Sequence, residues 1–180
     1  MQDQRKFVCY IAISMDGYIA TKDDSLEWLF KAEGEGDAGY SEFIDTIDTV
    51  LMGRRTYEWV MDAEKGKPPY PDKECYVFSS TLTGQKDHVK FINQPVFSFA
   101  EKLQKTPGKN IWVVGGSKLL HEFLQGKLID EFIISIAPTV IGKGIPLFQE
   151  LDFEIEYELK SVKQWEQFAQ LHYVLKKQRD

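Results

Sequence analysis

A three-layer α/β sandwich is the fold class this 180-residue sequence predicts, and three observations carry that expectation. Short apolar runs alternate with segments of helical spacing over the first two-thirds of the chain. Several of those runs end in glycine or a small hydroxyl residue and turn at once into a helix. The last third instead alternates apolar and polar residues around a tight turn. Alternating β and α units bury a parallel sheet between helices, and a two-faced hairpin supplies an antiparallel edge.

The elements follow in order. "KFVCYIAIS" (Lys6 to Ser14) is apolar enough for a central strand, and Asp16-Gly17 marks the turn into the loop "MDGYIATKDDSLEW". From Asp37 onward, Tyr40, Phe43, Ile44 and Ile47 recur at i, i+3, i+4 and i+7, the stripe of a short amphipathic helix. "TVLMG" is a buried strand, "RRTYEWVM" a helix starting directly after its glycine, and "KGKPPYPD" a loop. "CYVFSS" is a second buried strand, followed by a weak strand near Val89 to Ile92 and a helix near Phe99 to Lys105. "NIWVVGGSKLLHEFL" is a strand ending in two glycines, then a helix. "LIDEFIISIAPTVIGKGIPLF" holds a long strand and a Gly-Lys-Gly loop, and "FEIEYELKSVKQWEQFAQLHYVLKK" is an antiparallel hairpin. One composition throughout, without repeats or low-complexity tracts, predicts a single domain over residues 1–180.

Charge and cysteine content narrow the function. The formal net charge of −6 argues against a general nucleic-acid or membrane surface, so an anionic ligand has to be met by a local basic pocket. Cys9 and Cys75 lie far apart, each in a strand-like run, and read as reduced buried thiols. The N-terminal stretch has no signal-peptide pattern and no apolar run approaches membrane length, so a cytoplasmic protein is expected. His88, His121 and His172 share no ligand spacing, and no metal site is expected. Trp59, Trp112 and Trp165 read as core residues.

The chemistry concentrates at three strand ends: "MGRRT", "FSST" and "VGGSK". In an open parallel sheet, ligands lie in the crevice beyond the carboxyl ends of the strands. Glycine lets the backbone approach a ligand closely, and a helix starting there offers unpaired N–H groups and a positive dipole end to an anion. Gly115, Gly116 and Ser117 can thus cradle a phosphate or pyrophosphate, Arg54 and Arg55 supply full charge, and Ser79 and Ser80 add hydroxyls. Packing of helix against sheet explains paired glycines equally well. "GGSKLL" fits neither the Walker motif nor the Rossmann pattern.

At these residues the sequence resembles the dihydrofolate-reductase-like superfamily, most closely the reductase domain at the C-terminus of the bacterial riboflavin-biosynthesis enzyme. "ISMDGYIA", "IDTVLMGRRTYE" and "VVGGSKLLHEFLQGKLIDEFIISIAPTVIGKGIPLF", with the closing hairpin, carry the resemblance over nearly the whole chain. It implies an eight-stranded mixed, mostly parallel sheet with NADPH across the strand ends, and a cis peptide between Gly115 and Gly116. Carried over by motif, Gly53, Arg54, Arg55 and Thr56 hold the NADPH phosphates, and Ser79 and Ser80 lie by the adenosine ribose. Gly115, Gly116, Ser117, Lys118 and Leu119 wrap the pyrophosphate, and Ala12 and Ile19 line the nicotinamide.

On the substrate side the resemblance points to Asp16, Trp28 and, as proton donor, Asp37, fifteen residues before Met52. An acid shielded by Trp28 would serve that role if its pKa were raised. From its residue type Asp37 reads first as a helix cap and second as a proton donor, and Asp16 first as a turn former and second as a functional loop residue. The function implied is an NADPH-dependent reductase of a small heterocyclic or sugar-imine substrate, with 5-amino-6-(5-phosphoribosylamino)uracil as one candidate. Dihydrofolate is disfavoured because "LTGQKDHVKF" offers Lys86 and Lys90 but no arginine. A non-catalytic nucleotide-binding or sensing domain is the competing reading. The resemblance also implies a homodimer through the C-terminal antiparallel region.

Overall fold

A computed structural model describes residues 4–32 and 36–176. Its elements are β1 (Phe7–Ile13), β2 (Tyr18–Ala20), α1 (Glu27–Phe30), α2 (Tyr40–Asp45), β3 (Ile47–Gly53), α3 (Arg54–Ala63), β4 (Glu74–Phe78) and β5 (Gln85–Lys86). They continue with β6 (Val89–Ile92), α4 (Val96–Gln104), β7 (Asn110–Gly115), α5 (Ser117–Gln125), β8 (Glu131–Ile136), β9 (Ile145–Pro146), β10 (Tyr157–Trp165) and β11 (Phe168–Leu175).

The apolar runs assemble into one nine-stranded sheet in the order β10-β11-β8-β1-β7-β3-β4-β6-β5. From β8 to β6 every pairing is parallel. The β10–β11 hairpin adds antiparallel at the β8 edge, and β5 turns back on β6 at the other. The sheet is therefore mixed and mostly parallel, with helices on both faces. It has nine strands rather than the expected eight because the two-residue β5 pairs with β6. A small separate ladder, β2 with β9, ties the first loop to the Gly-Lys-Gly region. Neither β2 nor α1 carries a recognisable period, since a three-residue strand and a four-residue helix are too short to show one.

The central strands send alternate side chains into two cores. Phe7, Cys9, Leu51, Ile111 and Val113 pack beneath α4 and α5, with Phe99, Leu120 and Phe123. Val8, Val50, Met52, Val77 and Trp112 pack on the opposite face with Phe43 of α2 and Tyr57 of α3. Phe7 and Phe123 meet edge to face with ring centroids 5.2 Å apart. Each such buried ring contributes about 2–3 kcal/mol. The α2 helix starts at Tyr40 and stops at Asp45, so Ile47 belongs to β3 and is buried there. Cys9 and Cys75 are buried free thiols. Trp112 is core, but Trp59 is 36% exposed on α3.

The amino-terminal edge of the strands is closed by Arg5, only 5% exposed. Its Nε donates to the Lys109 carbonyl (2.6 Å), Nη1 to Thr106 Oγ1 (2.9 Å) and Nη2 to Thr49 Oγ1 (2.7 Å), and it pairs with Asp48. A buried guanidinium is tolerable only with its donors matched in this way. Polar groups at this end are thus spent on one another, which leaves the carboxyl edge as the place for a ligand. Among the described residues no helix is long and apolar enough to cross a membrane, and no group of three or more His, Cys, Asp or Glu side chains is placed to hold a metal.

Candidate active site

Strands β7 and β3 are parallel neighbours, with Met52 opposite Gly115, and β4 lies beyond β3 with Phe78 opposite Gly53. The three strand ends singled out in the sequence therefore stand side by side on one edge. Gly53 is the N-cap of α3 and Gly116 the N-cap of α5, and no side chain caps either helix. The N–H groups of both first turns and both positive dipole ends converge at the centre of the edge.

The glycines differ in what they do. A Cβ on Gly53 would stand 3.8 Å from the Gly116 nitrogen and 3.9 Å from the Gly115 oxygen, in the gap between the two helix starts. A Cβ on Gly116 would come within 3.2 Å of Thr56 Oγ1. Gly115 has φ +114°, a conformation that excludes other residues at low cost, and a cis peptide joins it to Gly116. The cradle is thus bare because side chains are absent from three places that face one another.

Around it, Arg54 and Arg55 project from the first turn of α3 and both are exposed. Arg54 Nε donates to Glu58 Oε1 (2.6 Å), and its Nη1 donates to Thr81 Oγ1 in the loop after β4. Arg55 pairs with Asp24 at 2.7 Å, which ties the first loop to α3. Ser79 is buried and its Oγ accepts from the N–H groups of Thr81 (3.2 Å) and Leu82 (2.9 Å). That hydroxyl shapes its own loop, whereas Ser80 is exposed. Ser117 is buried and its Oγ lies 3.1 Å from Gln149 Nε2, which donates to it. Lys118 is exposed, and Leu119 is buried in the core, so its free group at the edge is the backbone N–H.

The substrate side is built on β1. Ala12 pairs with Ser135 of β8, which pairs with Gln170 of β11, so the three stand in one row on one face. Ser135 and Gln170 are buried polar residues that the sequence alone did not single out. A serine in an apolar strand and a glutamine in an alternating hairpin carry no local signal. Ile19 lies on β2 and packs against the α4–α5 core. Trp28 is 8% exposed, and its indole Nε1–H is buried without an acceptor among the described residues. His121 is half-buried, and its Nδ1 is likewise without a partner among the described residues.

The two aspartates are spent on backbone. Asp16 accepts from Ser14 Oγ (2.7 Å) and from the N–H groups of Gly142 (2.7 Å) and Ile141 (3.2 Å). It locks the first loop to the Gly-Lys-Gly turn, and the Ser14 hydroxyl followed by those amides holds its carboxyl below the usual range. Asp37 is exposed, with Oδ1 accepting from Gly39 N–H (3.0 Å) and Oδ2 from Ser41 N–H (2.8 Å). The Ser41 hydroxyl, then the Ser41 and Gly39 amides, lower its pKa. Asp37 is therefore not the shielded acid with a raised pKa that the resemblance led one to expect. Asp37 precedes α2 instead of lying on its buried stripe, and its charged form is the one the surrounding donors favour.

A family model for the RibD C-terminal domain matches residues 5–171. The chain belongs to that family. Two Bacillus subtilis (strain 168) proteins are relatives of this RibD C-terminal domain protein along most of its length. YwjB is 49% identical over 172 residues, 95% of this chain and 98% of that protein. YyaP is 35% identical over 169 residues, 88% of this chain and 87% of that one. Among solved structures, a proposed riboflavin biosynthesis protein from Shewanella sp. PV-4 superposes with a TM-score of 0.86 at 28% identity, covering 96% of this chain and 99% of that one. A dihydrofolate reductase from Enterococcus faecalis complexed with NADP(H) gives a TM-score of 0.69 at 18% identity, covering 97% and 98% of the two chains. That likeness is one of fold.

Proposed function

We propose that this RibD C-terminal domain protein is an NADPH-dependent reductase of a small heterocyclic or sugar-imine substrate. The observation that carries the reading is the pair of uncapped helix starts, α3 and α5, meeting across Gly53, Gly115 and Gly116. The cradle fits a pyrophosphate on structural grounds: a Cβ at Gly53 would fill the gap, and the unpaired first-turn N–H groups want an anion. Arg54, tied to Thr81 beside Ser80, suits a 2′-phosphate. When bound, the cofactor supplies a hydride.

The protein's own residues bind and orient. Gly53, Arg54, Arg55 and Thr56 on one helix start, and Gly116, Ser117, Lys118 and the Leu119 N–H on the other, hold the phosphates. The small Ala12 leaves room for the nicotinamide at the end of β1. The buried Trp28 N–H is a donor available to the substrate or to a water held with it. Asp37 stays ionised at neutral pH, orders the start of α2, and leaves delivery of the proton to water reaching that exposed edge. A relative over a shorter stretch supports the substrate class. The 5-amino-6-(5-phosphoribosylamino)uracil reductase of Buchnera aphidicola is 37% identical over 71 residues, 39% of this chain.

Calorimetric titration with NADPH and with NADH tests the reading. NADPH binding about 10- to 150-fold tighter is expected, because a 2′-phosphate gains charged hydrogen bonds worth about 1.5–3 kcal/mol. Absence of binding to either nucleotide overturns it. NADPH binding with no turnover of any reducible heterocycle would favour a nucleotide-sensing domain.

A further inference from the structure

Gln170 lies in β11 and is 7% exposed, yet its amide reaches the loop that precedes α2, 132 residues away in sequence. Its Nε2 donates to the Ala38 carbonyl (3.1 Å) and to Ser135 Oγ (3.0 Å), and its Oε1 accepts from Trp165 Nε1–H (3.2 Å). An indole nitrogen only donates and a carbonyl only accepts, so the amide has one orientation that satisfies both. Tyr10, two residues before Ala12 on the same face, donates its hydroxyl to the same Ala38 carbonyl at 3.0 Å. Ala38 has φ +51° and Gly39 φ +82°. Beneath Gly39 lies the Trp165 ring, where an added Cβ would stand 3.3 Å from Cζ2. Two successive left-handed residues are costly to hold unless their surroundings fix them.

We propose that Gln170 is a positioning residue for the substrate half of the site. It holds the Ala38 carbonyl, and so fixes where Asp37 and α2 stand over the Tyr10–Ala12 face. The C-terminal hairpin thereby shapes a pocket to which it contributes no reacting group. A leucine there would keep the volume and lose every one of these bonds, leaving the Ala38 carbonyl with Tyr10 as its donor among the described residues. The substrate half is named on the reductase reading above, but the clamp itself does not require it.

The test is amide hydrogen exchange, read by NMR, on Gln170→Leu and Tyr10→Phe, with NADPH calorimetry alongside. Loss of the amide contacts is expected to speed exchange at Gly39 and Ser41 about tenfold, and loss of the single Tyr10 hydroxyl about threefold. Amides in β3 and β11 should change less than about twofold, and the affinity for NADPH should match the parent protein's. Exchange at Gly39 and Ser41 that rises no more than in β3 and β11 overturns the proposal. If Gln170→Leu does not fold, Tyr10→Phe removes one oxygen and reads the same amides. With 5-amino-6-(5-phosphoribosylamino)uracil as probe, Gln170→Leu should lower kcat/KM for the probe and spare KM for NADPH; equal losses on both would assign the residue a merely structural role. A parent protein that does not bind NADPH would remove the reductase reading and leave the exchange result to decide the clamp.

Discussion

Replacing Gly53 by alanine asks whether the glycines at the sheet edge serve the fold or a ligand. At φ −76° and ψ 159° the backbone of Gly53 is extended and open to any residue. The added methyl would meet the Gly116 nitrogen at 3.8 Å, the Gly115 oxygen at 3.9 Å and Leu119 Cβ at 3.9 Å, all ordinary contacts. Lower entropy of the unfolded chain stabilises such a change by about 0.4–1 kcal/mol. Alanine is also the poorer N-cap, and that loss is of similar size. The two nearly cancel, so the melting temperature should move by less than about 2 °C for a chain of this length. The methyl nevertheless occupies the gap between the two helix starts. A phosphate pushed outward there forfeits at least one charged hydrogen bond, about 1.5–3 kcal/mol, or about a 10- to 150-fold rise in Kd for NADPH. Scanning calorimetry and nucleotide titration on the same preparation separate the two effects. An unchanged Kd would mean the glycine is not there for close approach. A drop in melting temperature beyond about 5 °C would mean the fold itself needs it.

Asp37→Asn should keep only one of the two amide bonds at the start of α2, since its side chain has a single acceptor oxygen, and turnover at neutral pH should fall less than about tenfold, because Asp37 is already an anion and no donor there. Its lowered pKa means that its contribution to stability is present above the ordinary carboxylate range and lost as pH falls through the folded value. A loss of kcat beyond about a hundredfold with the fold intact would restore the proton-donor role. Burial raises the thiols of Cys9 and Cys75 from 9.0 to about 12. Raised pKa values of this kind leave stability intact below about pH 9 and erode it as pH climbs from there toward 12, because only the unfolded chain ionises. Urea midpoints should therefore decline above pH 9 more steeply in the parent than in a Cys9→Ala, Cys75→Ala variant. Neither thiol should react with a disulfide reagent at pH 8, and rapid reaction of either in the folded protein would contradict that burial.

Strand and turn chemistry was written locally, and that is why so much of the architecture could be read from the chain. Runs such as "TVLMG" and "NIWVVGG" carry their own period, their own stop and the start of the next helix. The rule for parallel sheets then puts their ends on one edge, where Gly53, Gly115 and Gly116 are found together. The same locality explains what could not be read. Residue type leaves Asp37 open as a cap or an acid; the positions of the Gly39 and Ser41 amides decide its charge, since exposure and donors set it. The Ser79 oxygen accepts from two amides of its own loop, a local role that the residue type does not distinguish from that of a ligand hydroxyl. Arg5 with Lys109, and Gln170 with Ala38, join segments more than a hundred residues apart. Partnerships of that kind are made by sheet order and register, in which β1 meets β7 on one side and β8, itself paired with β11, on the other. No spacing within either segment encodes them, because the side chains become neighbours only once the whole sheet has closed.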